Sequence, residues 1–294
     1  MKTGDSNRIT REYFESILLE MRHIGAQKPQ TVVTYLGETF ATPVATAALS
    51  HLDGTCENGM EKMAEGALMA GAVCFSGMAE REELERMCST GAKVIKIIKP
   101  HADNEKVMEK IREAEECGAF AIGMDIDHAM NSNGEYDCVC GLDMRPKSFE
   151  ELKAFIESTK LPFIIKGVLS ERDAKLALAA GAKGIIISHH HGIMDYAIPP
   201  LMVLPRIAKL VKGSMHIWVD CCVESGMDVF KALALGADGV CVGRAIMSPL
   251  KEHGAKGVCD TLQGLNRELC GAMARTGFAN VEDINDTVIW RKDL

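Results

Sequence analysis

The chain predicts an α/β fold, the (β/α)8 TIM barrel: eight parallel strands, each followed by a helix, read as a single domain over residues 1–294. Three observations carry this: an internal repeat of two strand–helix units, five Gly-Ala junctions ahead of apolar runs, and charged residues where those runs end. In the repeat, Ser170, Asp173, Gly181, Ala182 and Gly184 recur 55 residues later as Ser225, Asp228, Gly236, Ala237 and Gly239. Ser and Asp three apart ahead of an apolar run form a capping-box variant that satisfies free N–H groups at a helix start. Gly181 and Gly236 then close the helices, since glycine adopts the left-handed conformation cheaply. A repeat of that length holds two units of about 27 residues, the building block of such a barrel.

The elements follow in order. REYFESILLEMRH, residues 11–23, is predicted as an amphipathic helix with Phe14, Ile17, Leu18 and Met21 on one face. TVVTYLGETF reads as two short strands turning at Gly37, placed to plug the barrel floor. This N-terminal extension, 1–41, precedes a barrel over about 42–284. Gly71-Ala72, Gly91-Ala92 and Gly118-Ala119 join the two junctions of the repeat. Strands are expected at 44–48, 72–76, 94–99, 120–126, 163–167, 184–188, 216–220 and 239–243. His128 to Pro146 lacks a periodic pattern and lies where barrel enzymes keep their loops, as a lid or a surface excursion.

Apolar residues make up 47% and aromatics 5%, enough for a large core of aliphatic packing. The 17 methionines read as filling for an irregular interior. A net charge of −8 argues against nucleic-acid binding, which rests on basic surface. MKTGDSNRITREYF has no apolar leader and no long uncharged apolar run follows, so a soluble, cytoplasmic protein without membrane partners is expected. The 11 cysteines are then thiols; neither Cys138/Cys140 nor Cys221/Cys222 has the spacing of a zinc site.

At the strand ends stand Ser76, Lys96, Asp125, Asp127, Lys166, Ser188, His189 to His191, Asp220, Gly243 and Arg244. Charged groups gathered at one rim of an apolar cylinder are best explained by a ligand. Lys166 and Arg244 can offset phosphate or a developing anion. His190 is the natural general base, with Asp127 to hold one tautomer. Alternation from Ser188 selects His190, with His191 as the open alternative. Consecutive side chains on an extended segment point opposite ways, so at most two of the three histidines could share a metal, and none is expected. Structural readings stay open beside these: an ion pair of Lys166 with Asp127 or Asp220, a helix cap or Glu224 bridge for Arg244, and a plain salt bridge between Lys96 and Asp125.

LPFIIKGV, GAKGIIISHH, WVDCCVESG, DVFKALALGADGV and VGRAIM together resemble the FMN-dependent 2-hydroxy acid oxidases and dehydrogenases, among them glycolate and lactate oxidases. The likeness runs from Thr42 to about Ile284, more thinly in TPVATAALSH and AFAIGMDID. It implies FMN as cofactor, a small-molecule substrate and a homo-oligomer, often a tetramer. It also implies catalytic roles for His190, Asp127 and Lys166, and cofactor contacts from Ala48, Ser76, Lys96, Lys166, Ser188, Asp220, Cys222, Gly243 and Arg244. The implied chemistry is two-electron oxidation, with His190 taking a substrate proton and electrons passing to the flavin.

Several family positions differ. The arginines that clamp a substrate carboxylate are missing after His191 and in HAMNSNGE, and a tyrosine is Ile98. Lys96 and Asp125 stand for a glutamine and a threonine, Cys221-Cys222 for a glycine pair, and Glu224 for an arginine. An altered small substrate is therefore expected. Two other readings accompany it: a flavin-dependent isomerase without net redox, similar to type 2 isopentenyl diphosphate isomerase, and a barrel that has lost FMN and binds a phosphate ligand.

Overall fold

A computed structural model describes residues 3–292. Helix α1 (Ser6–Ser16) opens the chain, with the Asp5 carboxylate accepting from the Asn7 N–H at its start. It starts ahead of the predicted helix and stops short of it. Past Ser16 the apolar residues form strand β1 (Ile17–Leu19), which pairs antiparallel with Ile289–Arg291. A hairpin of β2 (Val33–Tyr35) and β3 (Glu38–Phe40) turns through Leu36 and Gly37, both left-handed. Its Tyr35 and Phe40 join the barrel interior, Tyr35 lying 5.1 Å from the Trp218 ring and donating from Oη to the Asp238 carbonyl at 2.7 Å. The hairpin is thus the floor that the sequence predicts.

The barrel strands are β4 (Val44–Leu49), β5 (Cys74–Ser76), β6 (Val94–Ile98), β7 (Ala121–Asp125), then, after a hairpin of β8 (Cys138–Val139) and β9 (Leu142–Asp143), β10 (Phe163–Val168), β11 (Gly184–Ile187), β12 (His216–Val219) and β13 (Gly239–Val242). All pair in parallel and β13 closes on β4, giving the expected (β/α)8 cylinder. Helices α2 (Gly59–Ala70), α3 (Arg81–Ser89), α4 (Asn104–Glu116), α5 (Phe149–Glu157), α6 (Glu171–Ala180), α7 (Pro200–Val211), α8 (Gly226–Ala234) and α9 (Arg244–Thr276) surround it, α9 breaking at Gly254. The repeat has its expected cause. Ser170 and Ser225 each accept from the N–H of the Asp three residues on, and the glycines of all five Gly-Ala junctions are left-handed, φ 66 to 113°.

Alternation along the strands sorts the side chains. Ile95, Ile97, Ala121, Ile164, Ile186, Trp218 and Cys241 face inward as one cluster, while Val94, Ile98, Ile122, Met124 and Ile165 lie beneath the helices. Lys96 falls between Ile95 and Ile97 and so points away from the barrel axis. Its Nζ donates to the carbonyls of Gly77 (2.6 Å) and Ala79 (2.8 Å), and burial lowers its pKa to about 7. The expected Lys96–Asp125 salt bridge is accordingly absent. Ser76 pairs in register with Lys96 and shares that outward side, its buried Oγ without a hydrogen-bond partner.

The segment from His128 to Pro146 is a built loop rather than a bare excursion. It contains the β8–β9 hairpin, bridges Met130 to Tyr136 and His101 to Met144, and brings Cys140 Sγ to 3.8 Å from His51 Nε2 on the loop after β4.

Candidate active site

The site starts from strand register. Lys166 and Asp125 are opposite each other on β10 and β7, both inward and at the C-terminal mouth. Lys166 Nζ lies 3.1 Å from Asp125 Oδ1, and Lys99, just past β6, takes Asp125 Oδ2 at 2.6 Å. Gly167 follows at φ 89°, where a β-carbon would stand 2.5 Å from Asp127 Cγ; glycine is what lets Asp127 approach.

β11 ends at Ile187 and the chain turns at once. His190 and His191 are left-handed (φ 48 and 56°), Ser188 Oγ accepts from the His190 N–H at 3.0 Å, and Gly192 N–H donates to the His189 carbonyl. The three rings therefore diverge through a turn, not by strand alternation. His189 Nε2 meets Thr10 Oγ1 at 2.8 Å in the interior, and His191 Nδ1 meets Asn7 Oδ1 at 2.8 Å toward solvent. His190 turns to the mouth, its Nδ1 2.8 Å from Asp127 Oδ1, 3.3 Å from Asp125 Oδ1 and 3.1 Å from Lys166 Nζ.

Electrostatics follow from this packing. Burial disfavours charge on Lys166, yet Asp125, Asp220 and Asp127 outweigh it and hold the ammonium firmly cationic. Burial likewise opposes charge on His190, but its hydrogen bonds to Asp125 and Asp127 raise its pKa to about 9. Burial would protonate Asp125; Lys166, His190 and Lys99 keep it ionised. Asp127 is raised, by burial and by the neighbouring Asp125 charge.

Beside this cluster opens a cavity of roughly 580 Å3, walled by Ala47, Ala48, Leu49, Val223 and Cys241 and carrying Lys166, His190, Asp220, Cys222, Gly243 and Arg244. Its size falls in the range of about 300–1,000 Å3 usual for small-molecule sites. Asp220 Oδ1 accepts from Cys221 Sγ at 3.0 Å, and Arg244, the first residue of α9, lies 3.6 Å from Cys222 Sγ. Cys221 and Cys222 have φ 73 and 58°, so the glycine-type turn survives with β-carbons on it. Of the candidate residues, Asp127, Lys166, Ser188, His190, Asp220, Cys222, Gly243, Arg244 and Ala48 come together at this mouth; Lys96 and Ser76 do not.

Sequence reading missed Lys99, His128 and the inward face of α1. Asn7 contacts His191, Thr10 contacts His189, and Arg11 makes a bidentate pair with Asp228 (2.8 and 2.9 Å) while reaching the Cys222 carbonyl. Only the position of Lys99 immediately after a strand could have flagged it.

An apolar wall from β4, two cations, and the Asp220 carboxylate as acceptor for hydroxyls suit a planar ring with a polyhydroxy, anionic tail. The donor set thus fits FMN. All eleven cysteines are free thiols, and among the described residues no helix is long and apolar enough to cross a membrane.

Comparison with known proteins agrees. A family model described as FMN-dependent dehydrogenase matches residues 1–150 and 143–291. Glycolate oxidase 1 of Zea mays is 30% identical over 311 residues, 93% of this chain and 84% of that protein. A 2-hydroxyacid oxidase of Dictyostelium discoideum is 44% identical over 144 residues, which is 49% of this chain and 37% of that protein. The crystal structure of mandelate oxidase with (S)-2-phenylpropionate superposes with a TM-score of 0.90 at 27% identity, over 100% of this chain and 92% of the other. With the family's pattern matched along nearly its whole length and the same barrel underneath, this chain belongs to the FMN-dependent dehydrogenase family of oxidoreductases.

Proposed function

We propose that this protein is an FMN-dependent oxidoreductase in which His190 removes a proton from a small hydroxylated substrate that is not held by paired arginines. The observation that carries the reading is the Asp127–His190–Lys166 cluster at the barrel mouth, with contacts of 2.8 and 3.1 Å beside a cavity that suits the cofactor. Arg244, Gly243 and the turn at Cys222 would hold the phosphate end; Asp220 and Ser188 would lie along the chain of hydroxyls; Ala48 would pack on the ring. When bound, FMN supplies a two-electron acceptor.

The protein's own part is proton handling and charge. Asp127 keeps His190 Nδ1 protonated and directs its other nitrogen outward, so a substrate proton is taken at Nε2. Lys166, fixed as a cation by three carboxylates, favours negative charge developing next to it. Among the cavity's lining residues the one arginine is Arg244, at the end assigned to phosphate. A free 2-hydroxy carboxylate would have no bidentate partner on the His190 side.

The purified protein should be yellow, and its flavin absorbance should bleach anaerobically with the right hydroxylated compound. His190→Ala should keep the colour and lose the bleaching. Bleaching that survives in His190→Ala but is lost in His191→Ala would assign the base to the wrong ring.

A further inference from the structure

A second imidazole stands against the first. His128 Nε2 lies 3.1 Å from His190 Nε2, the rings edge to face with centroids 4.1 Å apart. On its other side His128 Nδ1 lies 3.1 Å from Asp137 Oδ2. Asp137 is fixed by the loop, its N–H donating to the Ala129 carbonyl at 3.2 Å and its Oδ1 accepting from the Cys138 N–H at 2.9 Å. The carboxylates behind His190 are shielded, with side-chain exposure of 4% at Asp125 and 14% at Asp127, whereas His190, His128 and Asp137 reach solvent to similar degrees, 26%, 24% and 22%.

The carboxylates set the hydrogen-bond roles. His190 Nδ1 has the Lys166 ammonium at 3.1 Å, but the Asp127 and Asp125 oxygens at 2.8 and 3.3 Å outnumber it and Nδ1 donates to them; His128 Nδ1 faces the Asp137 carboxylate and donates too. Two Nε2 atoms at hydrogen-bond distance need one proton between them. His128 is the weaker holder, lowered by burial and by the charges of Lys99 and His190, whereas His190 is raised. At rest the shared proton therefore sits on His190, and His128 offers its lone pair. The other charged groups facing the pair are Asp125, Asp127, Lys166 and Lys99.

We propose that His128 is the acceptor through which His190 discharges its proton to solvent, with Asp137 as the outer station; this rests on the reading of His190 as the base. The His190 Nε2–H bond breaks and a His128 Nε2–H bond forms, while the His128 Nδ1 proton passes to Asp137 Oδ2 and then to water. His190 is left neutral, its Nε2 lone pair accepting from the new His128 Nε2–H, and Asp137 returns to its carboxylate. His128 ends in its other tautomer, and exchange with water resets it. A substrate hydroxyl then has only one neutral N–H···N contact to displace.

A cation on Asp125, His128 and His190 is the competing use of these atoms. Geometry disfavours it. Asp125 faces the Nδ1 edge of His190 and His128 faces the Nε2 edge, and both Asp125 oxygens already hold lysines.

Protein labelled with 15N-histidine and carrying its flavin decides the matter by NMR. The two Nε2 signals should move together through a single coupled titration. Exchange of the His190 ring N–H with water should slow by about tenfold or more in His128→Gln, whose amide can accept a hydrogen bond but cannot carry a proton. Asp137→Asn should slow it in part, and the double variant should be no slower than His128→Gln alone. Independent titration of the rings, or unchanged exchange in both single variants, overturns the proposal. Loss of the base reading would register elsewhere, as flavin bleaching that persists in His190→Ala while the coupled titration is intact in the parent protein.

Discussion

His190 sets the pH behaviour expected of the site. Its pKa is raised to about 9, from an ordinary value near 6.5, so the ring is charged at neutral pH and idle as a base. The rate of anaerobic bleaching should rise about tenfold per pH unit through the neutral range and level off near 9. Stability should run the other way. A group raised in the folded state contributes fully below its unfolded pKa of about 6.5 and loses that contribution as pH climbs through the folded value. Melting temperature should therefore fall across the window in which the rate rises. A bleaching rate that is flat or declining there would remove His190 from the proton-accepting role. The ring's pairing with Asp127 was foreseeable from residue types; its orientation was not. Two successive left-handed residues set it, and neither histidine advertises that conformation in sequence.

Helix α1 is where local pattern was outvoted by distant contacts. Phe14, Ile17, Leu18 and Met21 have helical spacing, but Ile17 to Leu19 find a strand partner at Ile289–Arg291, which no local window can reveal. Lys96 was misplaced for a related reason: strand residues swap faces at every step, so a one-residue difference in register sends a side chain to the opposite face. Repeated features were legible. The Gly-Ala junctions located five of the eight barrel strands, and the Ser/Asp caps two of the helix starts, because each rests on a conformation that few residues supply. What α1 does for the site gives a prediction of its own. Arg11 joins it to the N-terminus of α8 through the buried Asp228, whose carboxylate also accepts from the Glu224 and Ser225 N–H groups. Arg11→Ala should cost about 2 kcal/mol in chemical denaturation, the worth of a charged hydrogen bond at a partly buried site. It should also weaken FMN, because the Cys222 carbonyl loses its tether. A variant as stable as the parent would mean that α1 is held by its apolar face alone.

The two mouths of the barrel do different work. At the C-terminal mouth an apolar wall from β4 faces Asp125, Asp127, Lys166 and His190, charged and polar groups tied to one another, an arrangement that suits chemistry more than stability. At the other mouth the β2–β3 hairpin plugs the cylinder with Tyr35 and Phe40 against Phe75 and Trp218, an apolar cluster of which His190 is not a part. Proteins of this architecture can thus change chemistry at one end while packing at the other stays put. Tyr35→Phe tests the separation. It keeps the ring but removes the 2.7 Å hydrogen bond to the Asp238 carbonyl, leaving a buried acceptor short of a donor. The cost should be about 1 kcal/mol, or a drop of about 2 °C in melting temperature for a chain of this length. Flavin colour, bleaching rate and its pH profile should match the parent protein. If bleaching slows while the flavin stays bound, the floor is coupled to the mouth through the stacked interior residues, and the division of labour between the two ends fails.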